Sequence, residues 1–568
     1  MDKRWLSKEL PSNEQIKELS QAININSYLA AILIQRGITD FDGARNFFRP
    51  ALEHLHNPFL MKGMERAVAR LKKAIDSREK ILIYGDYDVD GTTSVALVSS
   101  YLNKFYSNCE IYIPDRYAEG YGISLAGIEY AEQNNFTLII ALDCGIKSVE
   151  LVDVASLKGI DFIICDHHLP DDTIPNAVAV LDPKQENCEY PYLELSGCGI
   201  GFKFMQGYAQ KHRHEHELYE YLDLVAVSIA SDIVPITGEN RILTYYGLIK
   251  LNENPRPGLK ALKEIAGIKN DLDVSGIVFT LGPRINAAGR IAHARAAVDL
   301  LVAQTEQEAN TLAEKLNLKN EIRKQFDSDI TGEALAMIES NEILRTAKST
   351  VLFKNTWHKG VIGIVAARCV EKYYRPTVIL TESNNKITGS ARSVSGFDLY
   401  GAILECSDLL EKFGGHKYAA GLTLDMTNLE SFQQKFEQVV SSTITEAMLT
   451  PMLDIDMSID FDVITPKFFN ILKQMGPFGP ENPRPLFEAN NVSVFNSLSS
   501  FKDKHVRFLA KQNENESIFQ VVGFDMVEHY DRFSRGDFFK MAFTIEENTF
   551  NGSTTIQLRI KDIKFCES

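Results

Sequence analysis

Three short apolar runs in this sequence end abruptly in carboxylates and imidazoles. Ile81-Leu82-Ile83-Tyr84 runs into Gly85-Asp86-Tyr87-Asp88-Val89-Asp90-Gly91. Leu138 to Leu142 runs into Asp143-Cys144-Gly145, and Asp161 to Cys165 runs into Asp166-His167-His168-Leu169-Pro170. A buried parallel strand that runs out at its carboxyl end reads this way, and in open α/β sheets that edge is where ligands bind. One aspartate after a strand is most often a helix cap or turn former. Five carboxylates and two histidines delivered to one edge are different. They would repel one another unless cations neutralise them, so the pattern points to a divalent-metal site. Asp232, inside Ala230-Ser231-Asp232-Ile233-Val234-Pro235, is costly in an apolar stretch unless paired or bound. It is the candidate for the last ligand.

The elements that must hold these side chains alternate strand and helix from about 80 to 250, as a parallel sheet requires. Residues 63–78 carry Met64, Ala67, Val68, Leu71 and Ile75 at helical spacing and lead into the first strand. Gly91-Thr92-Thr93-Ser94 opens an apolar helix. Cys109 to Pro114 is a further strand. Its exit, from Asp115 to Gly122, mixes Arg116, Tyr117 and Tyr121 with glycines. Such a loop can clamp a nucleotide by stacking or serve as a plain connection. Ala177 to Leu181 is another strand signal, and Leu222 to Ile229 is a helix that leads to Asp232.

Further along, Gly282 to Arg290 is a small-residue segment that carries Arg284 and Arg290. A proline-free Ala/Glu/Lys/Leu pattern from about 303 to 340 predicts a long connecting helix, interrupted near Asn317–Asn320. A second α/β unit starts near 349. Its segments Gly389-Ser390-Ala391-Arg392-Ser393 and Phe413 to Gly421, which includes His416, combine glycines with cations and suggest an anion pocket. From about 452 strand signals dominate, and Asn551-Gly552 separates the last two runs. Five runs of this kind fit a small Greek-key barrel of the oligonucleotide-binding type. Phe501 to Phe508 interleaves bases and aromatics, as a nucleic-acid-binding strand or a solvated face would.

The fold class is therefore multidomain α/β. An N-terminal helical extension over 1–62 is expected to pack on the next domain. A parallel-sheet catalytic domain follows over 63–255, then a helical segment with the long connecting helix over 256–345. A smaller α/β substrate-binding domain over 346–450 and a barrel of the OB type over 451–568 complete the chain. A length of 568 residues is too great for one core, which agrees with this division. The net charge of −16 argues against a protein that coats duplex non-specifically, but leaves room for a local basic groove. Eight scattered cysteines without a Cys-x-x-Cys pair fit reduced thiols, and no apolar run reaches membrane-spanning length. Together with a start that lacks signal-peptide form, these features give a cytoplasmic expectation with no membrane partner.

The segment Tyr84 to Gly91, Asp143-Cys144-Gly145, Asp166-His167-His168 and Ser231-Asp232 resemble the four motifs of the DHH phosphoesterases. Gly282 to Arg290, Gly389 to Arg392, Phe413 to His416 and the barrel are similar to the RecJ single-strand exonuclease branch of that family and its DHH-associated domain. Two positions depart from the pattern. Tyr84 stands where many DHH enzymes have a histidine, and Glu481 where RecJ-like chains commonly have glycine. The resemblance implies a 5′→3′ exonuclease on single-stranded DNA, used in repair and recombination, with a helicase and a single-strand-binding protein as partners. It implies two divalent ions, Mn²⁺ or Mg²⁺, with Asp86, Asp88, Asp90, Asp143, His167 and Asp232 as ligands and Asp143 bridging. Asp88, Asp90, Asp143, His167 and His168 would be catalytic. Arg116, Tyr117, Tyr121, Arg284, Arg290, Ser390, Arg392 and His416 would contact DNA. A small-molecule phosphodiesterase, a non-catalytic scaffold and a binding module with a structural metal are the alternatives.

Overall fold

A computed structural model of the chain describes residues 3–212, 215–513, 516–550 and 553–566. Its first sheet has five parallel strands: Ile81–Gly85, Cys109–Tyr112, Leu138–Leu142, Asp161–Cys165 and Ala179–Leu181. Cys109–Tyr112 lies at one edge, beside Ile81–Gly85, which pairs in turn with Leu138–Leu142. The strand order thus reverses between Ile81–Gly85 and Leu138–Leu142, and their carboxyl ends open the crevice of a doubly wound sheet. Every residue of these two strands is buried, because helices cover both faces. Ile81, Ile83, Leu138 and Ile140 pack with helices Val89–Leu102, Gly197–His212 and Leu222–Ser231. Leu82, Tyr84, Ile139 and Ala141 face helices Leu125–Gln133 and Val149–Leu157.

The connecting helix runs unbroken over Glu306–Glu339. The interruption expected near Asn317–Asn320 does not occur. Asn317 accepts from Arg284 at 3.0 Å and buried Asn320 accepts from Arg323 at 2.8 Å, so neither amide competes with the helix backbone. At about 1.5 Å per residue the helix is on the order of 50 Å long. The second α/β domain is a five-stranded mixed sheet with Lys412–His416 at one edge, then Ala419–Leu424, Lys386–Arg392, Thr377–Ser383 and Thr350–Phe353. Both glycine-rich segments are therefore strands. Ala419 stands opposite both Arg392 and His416, and Gly421 opposite Ser390, which sets Ser390, Arg392 and His416 on one face.

In the C-terminal domain Phe487–Phe501 pairs with both His505–Gln512 and Phe539–Phe550, which closes a five-stranded barrel through Ile518–Gly523 and Ser553–Phe565. The expected Asn551-Gly552 turn lies outside the described residues; the strands on either side of it pair antiparallel.

The N-terminal extension divides: Leu52, Leu55, Phe59 and Met61 pack on the first α/β domain as expected, but its helices pack elsewhere. Its helices Asn13–Ile23, Ser27–Gln35 and Phe41–Phe48 bury Leu19, Leu29, Ile32, Leu33 and Ala44 in one core with Phe461, Phe468 and Phe487 of the barrel domain. Strand Arg4–Ser7 pairs parallel with Met452–Ile455. The rule that sequence neighbours pack together yields here because the first sheet is already covered on both faces, whereas the barrel has an open apolar side. A chain ending at 450 would strip that cover from Leu29, Ile32 and Leu33. We expect it to aggregate and to bind a hydrophobic dye, and a chain that also lacks residues 1–50 to stay monomeric. Size-exclusion chromatography of the two truncations checks this; a well-behaved monomer from the first would refute it.

Candidate metal centre and nucleic-acid interface

The crevice collects its side chains from five places. Asp88 caps helix Val89–Leu102 and accepts the Gly91 N–H at 3.0 Å. Asp90, one step inside that helix, is held by the start of another: it accepts the N–H groups of Gly197 and Cys198 at 2.7 and 2.8 Å and the Ser228 hydroxyl at 2.7 Å. Asp143 turns the chain at its strand end with φ 59°, and its N–H still donates to Cys165 O at 2.8 Å. Gly197 lies so close that a β-carbon there would stand 2.6 Å from that of Asp143. Asp166 points inward and orients its neighbours: it accepts the His167 N–H at 2.8 Å, the Ile146 N–H at 2.9 Å and the His168 ring Nδ1–H at 2.7 Å. Asp232 ends helix Leu222–Ser231.

His167 is the centre of the arrangement. Its Nε2 is 3.3 Å from Asp143 Oδ1, 3.5 Å from Asp232 Oδ2 and 3.8 Å from Asp90 Oδ2. Two donor groups result, Asp143–His167–His168 and Asp90–His167–Asp232. Asp90, Asp143, His167 and Asp232 were expected as ligands and His168 as a catalytic contact; Asp88, also expected as a ligand, has one carboxylate oxygen on its helix cap.

The electrostatics indicate what such a site needs. Burial, then the Asp90, Asp88, Asp232 and Asp86 charges, push the Asp143 carboxyl well above the carboxylate range. Burial, then the Asp90 and Asp88 charges, raise Asp232 to about 9, and burial with Asp88 raises Asp86. Burial opposes both members of the Asp166–His168 pair, yet their hydrogen bond and mutual charge hold Asp166 at about 2 and His168 at about 9. Burial lowers the His167 imidazole, which keeps it a neutral donor. Both Asp86 oxygens, Asp143 Oδ1 and both His167 ring nitrogens are buried without a hydrogen-bond partner among the described residues. Orphaned buried acceptors and mutual carboxylate repulsion are both costly, and divalent cations remove both costs. The donor set of carboxylate and imidazole fits Mn²⁺ or Mg²⁺.

Beside this centre lies a cationic wall. Tyr121 Oη is 3.1 Å from His168 Nε2, and its ring meets Tyr87 at 6.2 Å. Tyr87 in turn lies under the Arg116 guanidinium at 4.8 Å. Burial, then the charges of Arg116, Arg323 and Arg392, lower the Arg290 guanidinium to about 10. Burial and Arg116 lower Arg392 in the same way. Arg116, Arg290, Arg323 and Arg392, from four segments of the chain, lie close enough to depress one another, and among the described residues no carboxylate pairs with Arg290 or Arg392. Arg392 Nη1 donates to Ser390 Oγ at 3.1 Å. Gly363 permits this packing, since a β-carbon there would stand 2.8 Å from Ser390 Oγ and 3.0 Å from Arg392 Nη2. Tyr117 donates to the Arg290 carbonyl, so its hydroxyl ties the two segments together.

Arg284 lies near Arg323, and its guanidinium donates to Thr280 O at 2.7 Å and to Asn317. His416 is exposed at the sheet edge, on the Arg392 face. Tyr84 faces away from the metal centre: its hydroxyl donates to Gly122 O at 2.9 Å and its ring stacks on Tyr112. Sequence reasoning placed Asp166 at the edge without its orienting role, and assigned none to Gly197, Ser228 or Arg323. The run Ser196-Gly197-Cys198-Gly199 before an apolar stretch was the available signal for a helix start that grips a carboxylate.

Comparison with known proteins supports this geometry. Residues 80–229 match the DHH family N-terminal domain, residues 346–442 the DHHA1 domain and residues 455–562 the RecJ OB domain. The single-stranded-DNA-specific exonuclease RecJ of Bacillus subtilis is 35% identical over 99% of this chain and 71% of its own length. That of Escherichia coli is 31% identical over 89% of this chain and 90% of its own. The crystal structure of Thermus thermophilus RecJ in complex with Mn²⁺ superposes with a TM-score of 0.84 at 25% identity, covering 100% of this chain and 80% of that one. Likeness of this extent, along all the domains described, means that the chain belongs to the family of RecJ single-stranded-DNA-specific exonucleases.

Proposed function

We infer that this chain is a metal-dependent exonuclease that shortens single-stranded DNA from its 5′ end and releases nucleoside 5′-monophosphates. The observation that carries the reading is that a carboxylate–imidazole cluster lies beside a group of guanidiniums, the two joined through Tyr121 and Tyr87. A terminal phosphate carries more charge than a diester, and planar guanidinium groups bind it with several hydrogen bonds. Arg392, Arg290, Arg116 and Ser390 would hold the 5′-phosphate, and the neighbouring linkage would then lie at the cluster. Asp90, His167 and Asp232 would hold one ion and Asp86 and Asp88 the other, with Asp143 shared between them. The ions, when bound, activate water and neutralise charge at the cleaved phosphate. Asp166 keeps the His168 ring turned inward, and Tyr121 covers it. The barrel, with Arg507 and Lys511 on one strand, would bind the strand beyond. A role in repair and recombination within the cytoplasm accords with this reading, beside a helicase that exposes single strands and a single-strand-binding protein that covers them. No helix among the described residues is long and apolar enough to cross a membrane.

The test uses strands labelled at the 5′ or the 3′ end, and duplexes, with Mn²⁺, Mg²⁺ or chelator. The 5′ label is expected to leave as a mononucleotide at the first turnover, while the 3′ label shows a shortening ladder. Duplex is expected to resist, and chelator to stop the reaction. Release that starts at the 3′ end, or that survives chelator, would refute the reading.

A further inference from the structure

One stretch of the barrel domain is clamped by the first α/β domain. Residues 476–483 form a turn with three prolines, which restrict its backbone. Arg241 is 5% exposed and stands in the first turn of helix Gly238–Glu253. Its guanidinium donates to Gly476 O at 2.7 Å and to Met475 O at 3.1 Å. It also donates to Phe47 O at 2.9 Å, and the Phe47 ring lies under it at 3.8 Å. Among the described residues no carboxylate pairs with Arg241, and burial, then the charge of Arg36, lowers it to about 9. A buried guanidinium engaged wholly by carbonyls of two other segments rivets those segments together. Asn482 closes the turn from within, donating to Pro477 O at 2.7 Å and to Met475 O at 3.0 Å.

The same turn touches the segment that carries Asp232. Pro480 O accepts the Ile236 N–H at 2.8 Å. Gly479 lies against that residue too: a β-carbon on it would stand 2.5 Å from Ile236 Cγ1. Ile236 is fully buried and follows Asp232 by one short loop. Inside that loop the backbone is strained. Ile233 has φ 60°, a left-handed conformation that a β-branched residue adopts only when its surroundings impose it. It comes just after the end of helix Leu222–Ser231, where glycine is the usual residue. The loop is pinned at both ends. Asp232 N–H donates to Ser228 O at 2.9 Å, within the helix. Beyond Ile233, Pro235 O accepts from Asn240 at 3.0 Å, and Ile236 is held by the turn of the barrel domain.

We propose that the turn over 476–483, riveted by Arg241, is a strut that keeps the Asp232 segment in its metal-binding conformation. Seating of the barrel domain and affinity for a divalent ion are then coupled. The proposal rests on the reading of Asp232 as a ligand. Asp232 Oδ2 is 3.5 Å from His167 Nε2, close enough for both to hold one ion. Relaxation of Ile233 would turn the backbone directly after Asp232 and carry its carboxylate out of that arrangement. Arg241 touches neither ion nor substrate and is a positioning residue. The coupling is reciprocal, so bound ions also hold the barrel domain in its seat.

The experiment titrates Mn²⁺ into the full chain without DNA and follows the free ion by electron paramagnetic resonance. The binding step that Asp232→Ala removes is the one compared. Arg241→Ala and Gly479→Ala are each expected to weaken that step about tenfold, the scale of the strain held at one such residue. Gly479→Ala drives a methyl group into Ile236 and keeps the Arg241 rivet, so it decides the case if Arg241→Ala does not fold. Ile233→Gly added to either variant is expected to restore wild-type affinity, because glycine holds φ 60° without strain and needs no strut. Unchanged affinity in Gly479→Ala, or a loss that Ile233→Gly does not repair, would overturn the strut alone. An Asp232→Ala protein that binds Mn²⁺ as wild type does would overturn the reading of Asp232 as a ligand.

Discussion

Asp143→Ala is expected to lower kcat/KM at least about a thousandfold, the scale of charge stabilisation that a catalytic metal centre supplies. The charges of Asp86, Asp88, Asp90 and Asp232 all oppose the Asp143 carboxylate, which lies 3.3 Å from the His167 nitrogen that also faces Asp90 and Asp232. Its loss removes the ligand best placed to serve both ions. The same position makes a second, opposite prediction. In chelator, Asp143 is a buried carboxylate facing four like charges, and its removal relieves that repulsion. Asp143→Ala is therefore expected to melt no lower than wild type without metal, and to lose most of the rise in Tm that Mn²⁺ gives wild type. Kinetics and thermal melts on the same preparations separate the two effects. Activity within tenfold of wild type, with a full Mn²⁺-dependent rise in Tm, would refute the two-ion arrangement.

Arg392→Ala is expected to weaken cleavage of 5′-phosphorylated strands by about 1.5–3 kcal/mol, the size of a hydrogen bond to a charged group, which is roughly tenfold to a hundredfold. Arg392 is held by Ser390 and by the Ala391 carbonyl, with Arg290 and Arg116 close enough to lower pKa values in the group. Four clustered cations oppose each other as the metal ligands do, and a phosphate dianion relieves them. Strands with a 5′-hydroxyl should lose far less, so the wild-type preference for a phosphorylated end should collapse. The measurement is kcat/KM for both substrates in both proteins, read as a cycle. Equal losses on the two substrates would show that Arg392 grips the backbone without reading its end.

The metal centre was legible because parallel strands announce themselves as short apolar runs, and the residues just past each run land on the same edge. Asp86, Asp88, Asp90, Asp143 and His167 needed no more than that. The grip on Asp90 was not legible in the same way. It comes from a helix start 107 residues downstream, and no local pattern says which loop that start will face. Arg284 and Arg290 were read together because both flank small residues. They stand six apart on one helix, however, so their side chains diverge by about 120° and only one can face the second domain. Glu481 shows the reverse case, where structure explains an anomaly of sequence. Its φ is 58°, a conformation in which glycine is unstrained, so the departure from the family's glycine falls on the backbone of a turn. The helices of the N-terminal extension were misplaced, though its last residues were not, because an apolar stripe shows that a partner exists without saying which.

That extension also bears on how the chain is made. Helices Asn13–Ile23, Ser27–Gln35 and Phe41–Phe48 leave the ribosome well before the barrel residues that bury Leu29, Ile32 and Leu33. At roughly 5–20 residues per second, the barrel emerges on the order of half a minute to a minute and a half later. For that interval the nascent chain trails a sticky apolar surface while the nuclease domain behind it can already fold. Slow or stalled translation after the connecting helix should therefore harm this protein more than stalling earlier, and chaperones that shield nascent apolar segments should matter for its yield.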